Sequence, residues 1–219
     1  MSGLLLLALG LVLNVKVGLG TSPIMAPAYA VSILLEGDFT DYTFLWYCIL
    51  ILAEVLLHLR RKASLATLVM DLLQLPFSMV FTRLMGVYAR MIPDFASAEG
   101  LFGTIAGRIL LLLLAIFFTG VGAALTLAVK LVPNPGDGIV QTLAEYFGKP
   151  LGSMKNIFDI GCVTIAFLLG IAAGEGILGI GVGTLAAMIG VGRCVALTNR
   201  FLRKFSSGEE KKQNASRYG

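Results

Sequence analysis

The chain has 219 residues, 57% of them hydrophobic and 14% charged, with a mean hydropathy of +0.88. Soluble domains carry about a quarter charged residues, and apolar stretches recur along the whole length, so the composition excludes a soluble domain with one anchor and indicates a polytopic membrane protein. The net charge of +4 and the pI near 9.1 do not indicate nucleic-acid binding, because the basic residues sit at the ends of apolar segments.

The first apolar run, Leu4 to Leu13, has the core of a signal peptide, and Ala26-Pro27-Ala28 or Ala28-Tyr29-Ala30 resembles a cleavage site. No Lys or Arg precedes the run, and both triplets lie inside a further uncharged stretch. The segment is therefore expected to be retained, as a first span over 3–20. A break follows at Gly20-Thr21-Ser22-Pro23, then a short apolar segment over 23–36. Thr21 and Ser22 are N-cap residues and Pro23 suits a first helical position. A short helix beginning there turns free N–H groups and a partial positive charge toward the break. Gly18 and Gly20 allow close approach, and Lys16 adds a full charge. Two readings stand: an anion-leaning pocket, or a lysine that snorkels to the interface beside a structural turn.

Spans over 42–59 and 64–86 come next. Glu54 and His58 lie four apart on one helical face, and Asp71 sits at similar depth on the following helix. Ionisable residues inside a membrane are costly and so informative. The three are read either as an ion or proton site with a titratable imidazole, or as a structural cluster near Arg60-Arg61-Lys62. A connector over 92–106 leads to a fourth span, 107–131. The second break, Pro133-Asn134-Pro135-Gly136-Asp137-Gly138, opens a short segment over 136–147. Asp137 is read as a helix-start acid, a counter-ion to Lys130, or a cation or proton site.

The last two spans cover 152–173 and 180–203. Lys155 and Asp159 share a helical face, and Arg193 lies at comparable depth in the final span, so an Asp159–Arg193 ion pair is expected beside Lys155. Asp159 is also a candidate for ion coupling. The glycines from Gly174 to Gly192 suit close helix packing in lipid. The tail 206–219, rich in Lys, Glu and Ser, is expected to be disordered. Cys48, Cys162 and Cys194 are odd in number and far apart, and His58 is the sole histidine, so no disulfide set, metal site, cofactor or enzymatic constellation is expected.

The order long, break, short, long, long occurs twice. Laid over each other, Gly10 meets Gly122, Leu13 meets Leu125, Leu19 meets Leu131 and Pro23 meets Pro135. Charge then selects a topology. Six spans with two re-entrant segments place Arg60-Arg61-Lys62 and the basic tail on one side, the cytoplasm, with both termini inside. Three spans per repeat invert the halves, and inverted repeats with broken helices point to a midplane site in secondary transporters. The expected fold is therefore an all-α membrane protein of six transmembrane helices plus two re-entrant half-helices. The repeats occupy 1–91 and 107–205.

Leu19-Gly20-Thr21-Ser22-Pro23, Pro135-Gly136-Asp137-Gly138, Lys155 with Asp159, and Gly179-Ile180-Gly181-Val182-Gly183-Thr184-Leu185 together resemble the YczE/YyaS/YitT family of bacterial integral membrane proteins. The resemblance covers nearly the whole chain in the same order. Family members often carry an Asp shortly after the first Ser-Pro, where Ile24-Met25 stands here. It implies a multi-pass protein of the bacterial cytoplasmic membrane and supplies no substrate.

These features favour a small transporter or permease that binds a small polar or anionic solute between the breaks. Lys16, Gly20, Thr21, Ser22 and Pro23 would contribute from one side, and Asn134, Pro135, Gly136 and Asp137 from the other. Glu54, His58, Asp71 and Asp159 would couple an ion or proton. The alternatives are a non-transporting scaffold or regulatory partner and a dimeric inverted-repeat channel; a homodimer is compatible with each. The lipid bilayer is the one environment all three share.

Overall fold

The computed structural model describes residues 2–128 and 132–217, and every regular element in them is helical. Helix α1, Ser2–Lys16, stops four residues short of the expected span end. Gly18 and Gly20 take φ of +67° and +121° there, backbone that only glycine adopts without strain. At 15 residues α1 rises about 22 Å, less than the roughly 30 Å hydrocarbon core of a bilayer. One 3-10 turn, Pro23–Met25, leads into the short α2, Ala26–Leu34.

Helix α3, Phe39–Arg60, begins at Asp38, whose Oδ1 accepts from the Thr40 amide at 2.8 Å and the Thr40 hydroxyl at 2.6 Å. Ser64 caps α4, which runs Leu65–Met91 and so extends past the expected end at 86. Helix α5 covers Ile105–Ala128, α6 Pro135–Phe147 and α7 Leu151–Ala172. Helix α8 covers Val182–Arg217. Its backbone therefore stays helical through most of the stretch expected to be disordered, consistent with the Glu, Lys and Gln content there.

Among the described residues five helices, α3, α4, α5, α7 and the Val182–Leu202 part of α8, are long and apolar enough to cross a membrane. Their outward faces carry bare Leu, Ile and Phe, such as Leu52, Leu113, Phe117, Ile160 and Leu168. Polar side chains such as Thr43, Gln74, Ser78 and Asp159 are buried instead. This inside-out pattern is that of a multi-pass membrane protein.

Helices α1 and α5 run antiparallel in backbone contact. A Cβ on Gly10 would lie 2.4 Å from Thr119 Oγ1, and one on Gly122 would lie 2.4 Å from the Leu7 amide nitrogen. Shifting the first contact by the 112 residues that separate the matched glycines gives the second, so the two are equivalent under exchange of the halves. The other neighbours follow suit: α2 packs on α3 and α7, α6 on α7 and α3, α1 on α4, and α5 on α8. One pair departs from the pattern. Helices α3 and α4 pack closely, whereas α7 and α8 barely touch.

Candidate functional site

The space left between α7 and α8 opens into a cavity of about 350 Å³. Both chain breaks reach it: Ser22 from the first, and Asn134, Gly136 and Asp137 from the second. The walls are mainly apolar, with Leu7, Leu11, Val140, Val191 and Val195, and Tyr47, Gln141, Lys155 and Asn199 add polar points. Pro135 begins α6, and Asn134 caps it, its Oδ1 accepting from the Gly136 amide at 3.0 Å. Asn134 thus performs the capping expected of Asp137. The Asp137 carboxylate is left facing the cavity from the first turn of α6, where the helix dipole favours a negative charge. It has no hydrogen-bond or ion-pair partner among the described residues. Lys155 acts on it only through space and is itself 3.4 Å from buried Asp159. Lys130, the expected counter-ion of Asp137, lies outside the described residues. Among the described residues, the charged groups at this end are Asp137 and Lys155, which line the cavity, and Asp159 behind Lys155.

The other half of the expected site divides. Lys16 does not reach the cavity: its Nζ is 3.0 Å from Asp94 Oδ2, an ion pair at the protein surface. Ser22 makes no capping hydrogen bond with its side chain, and Pro23 is buried in the turn. Gly20 and Thr21 line a second, separate hollow of about 290 Å³ with Tyr29, Gly179 and Gly181. Here the first break is pinned to the start of α8. The Thr21 amide donates to the Gly179 carbonyl and the Gly183 amide to the Leu19 carbonyl, each at 2.8 Å. A Cβ on Gly181 would fall 2.4 Å from the Leu19 oxygen. Arg108 braces the same loop, donating from Nε to the Val17 carbonyl at 2.8 Å and from Nη2 to the Gly18 carbonyl at 2.7 Å. The cation engaging the first break is therefore Arg108, on α5, and not Lys16.

The expected Asp159–Arg193 pair does not form. Arg193 is exposed on α8, and the separation of α7 from α8 keeps it from Asp159.

Glu54, His58 and Asp71 do come together, between α3, α4 and α6. The His58 Nδ1 donates to Asp71 Oδ2 at 2.7 Å, and Gln74 Nε2 donates to Glu54 Oε2 at 3.0 Å. Thr142 of α6 bridges them, its hydroxyl 3.2 Å from Glu54 Oε1 and 3.3 Å from His58 Nε2. Glu54, Asp71 and Gln74 are each at most 3% exposed. Gly138 admits this arrangement, since a Cβ there would lie 2.8 Å from Glu54 Oε2. Sequence reading missed Gln74, Thr142 and Gly138. Their signal was spacing: Gln74 lies three residues after Asp71, and Thr142 four after Gly138, on faces that turn inward.

Helices that bury polar groups and expose apolar ones, around a cavity at two chain breaks, define a multi-pass helical membrane protein. The chain belongs to the family of unknown function DUF6198, whose family model matches residues 1–200. The match is to an uncharacterised family and does not single out the YczE/YyaS/YitT group that the motifs resemble. No curated protein and no solved structure matches the chain.

Proposed function

We propose that the protein is a small secondary transporter of the bacterial cytoplasmic membrane, built as an inverted repeat with both termini inside. Its substrate is a small solute with an amine or other cationic group on an apolar body, zwitterions included. The observation that carries the reading is the meeting of both breaks at one mainly apolar cavity, faced by Asp137, which has no hydrogen-bond or ion-pair partner among the described residues. Ligand sites pair apolar walls with a few placed polar groups in this way. Because Lys16 is engaged at the surface and Asp137 has no partner among the described residues, a cationic head group fits better than the anionic one expected from the sequence. Lys155, which also lines the cavity, suits the carboxylate of a zwitterion.

The equivalence of the Gly10 and Gly122 contacts supports the inverted repeat. The cavity reaches Leu127, Gly152 and Asn199, at helix ends that the basic residues assign to the cytoplasm, while backbone bonds between Leu19–Thr21 and Gly179–Gly183 close the opposite side. That is an inward-open arrangement, and docking of α7 on α8, as α3 docks on α4, would close it. Thr142 links α6, which carries the second break, to Glu54, His58 and Asp71, giving ion coupling a physical route. The test is uptake by proteoliposomes of a panel of radiolabelled amines, amino acids and organic anions. Saturable uptake of a cationic or zwitterionic solute, lost in Asp137→Asn, is expected. Uptake confined to anions, or unchanged in Asp137→Asn, overturns the assignment.

A further inference from the structure

The cluster between α3, α4 and α6 has a chemistry of its own. Glu54, His58 and Asp71 each offer a ligand atom, and these atoms lie within 4.8 Å of one another. Bonds of 2.0–2.2 Å let a first-row metal ion span at most about 4.4 Å between opposite ligands, so a group of this size is close to what one ion requires. Two carboxylates at most 3% exposed sit here; Asp71 pairs with the His58 ring, which is charged only when protonated, and neither carboxylate meets Lys or Arg among the described residues. Buried charge of this kind needs compensation. An independent feature points the same way. Gln74 is 1% exposed and its carboxamide is turned onto Glu54 through Nε2, yet its Oε1 has no hydrogen-bond partner among the described residues. A buried acceptor oxygen on the side chain that touches Glu54 is left unsatisfied, and a cation held by that carboxylate would satisfy it.

We propose that this cluster is a binding site for a divalent first-row transition-metal ion. Glu54 and the Nε2 of His58 are the primary ligands, with Gln74 Oε1 and the Thr142 hydroxyl completing the sphere. Asp71 holds Nδ1–H, which fixes the ring and leaves the Nε2 lone pair for the metal, the carboxylate–histidine–metal relay common in such sites. It also supplies the second negative charge. One imidazole among oxygen donors selects Mn2+, Fe2+, Co2+ or Zn2+ over Mg2+ and Ca2+, and the absence of thiolate from the set disfavours Cu+. The absence of cysteine clusters and a lone histidine argue against a zinc-finger set but not against this mixed one. The site requires no step of the transport reading and stands or falls separately from it.

His58 is the sole histidine of the chain, so its ring is a unique reporter. Full-length protein without a histidine tag, labelled with [15N]histidine, purified in detergent and stripped with chelator, is titrated with Zn2+ and, by calorimetry, with Mn2+ and Co2+. The expected result is one-to-one saturation by each metal, with Zn2+ shifting the Nε2 resonance while Nδ1 stays protonated. Glu54→Gln and His58→Gln abolish binding, Asp71→Asn weakens it 10–100-fold, and Asp137→Asn leaves it unchanged. The proposal is overturned if millimolar Zn2+ leaves the unmutated protein's imidazole spectrum unmoved. It is equally overturned if Glu54→Gln, with Trp46 emission showing it folded, binds as tightly as the parent.

Discussion

The close approach of α1 and α5 makes Gly10→Ala a quantitative test of the fold. The added Cβ would meet Thr119 Oγ1 at 2.4 Å, the Thr119 amide nitrogen at 2.5 Å and the Ala115 carbonyl at 2.8 Å. Two of these are backbone atoms of a neighbouring helix, so no rotamer change relieves the contact. Ordinary contact begins near 3.4 Å, so the helices must part by about 1 Å, an overpacking that costs about 1–3 kcal/mol. Alanine's better helix propensity offsets roughly 1 kcal/mol of that. Gly161→Ala isolates the offset, because nothing lies within 4 Å of its added Cβ. The predicted quantity is the difference: Gly10→Ala is less stable than Gly161→Ala by about 1–3 kcal/mol. Gly122→Ala, which meets the Leu7 amide at 2.4 Å, carries a similar penalty. The double variant loses less than the sum, since the first substitution opens the seam for the second. Unfolding in mixed micelles can be followed through Trp46, the single tryptophan, whose Nε1 donates to the Ile24 carbonyl at 2.9 Å. Equal stability of Gly10→Ala and Gly161→Ala would refute the close packing of α1 on α5.

Lys16→Ala is expected to keep transport and to cost at most about 1 kcal/mol, as an exposed ion pair does; a loss of uptake with intact folding would return Lys16 to the site. Gly138→Ala displaces the movable end of Glu54 instead of backbone, so it should spare the unfolding midpoint while lowering metal affinity; calorimetry separates the two. At the start of α3, the Thr40 hydroxyl and amide hold the Asp38 carboxyl below its usual range, against partial burial. A depressed acid contributes stability at neutral pH that is lost as pH falls through its folded value. Asp38→Asn should therefore flatten the acid limb of the stability profile below about pH 4, and an unchanged limb counts against the cap.

Helix existence and chain breaks were legible because glycine, proline and apolar length act locally. The breaks at Gly20-Thr21-Ser22-Pro23 and Pro133–Gly138 fall where expected, and the meeting of Glu54, His58 and Asp71 follows from helical spacing and depth. What could not be read is what each helix turns toward. Lys16 is the last residue of a helix that the positive-φ glycines end early, and it meets Asp94 instead of a substrate pocket. Arg193 and Asp159 have matching depth but belong to helices held apart, and depth alone does not set rotation or distance. Gln74, Thr142 and Arg108 acquire roles only through partners 20, 88 and 90 residues away in sequence.

The shortness of α1 bears on how the protein is made. A 15-residue helix made before its partner cannot comfortably span the bilayer alone, and its glycine-lined face is shaped for α5. At 5–20 residues per second, α5 follows on the order of 10 s later. During that interval α1 must wait at the translocon or in thinned lipid. A nonsense mutation ahead of Ile105 would strand it there, and quality-control proteases would meet an N-terminal segment that never acquired its shelter.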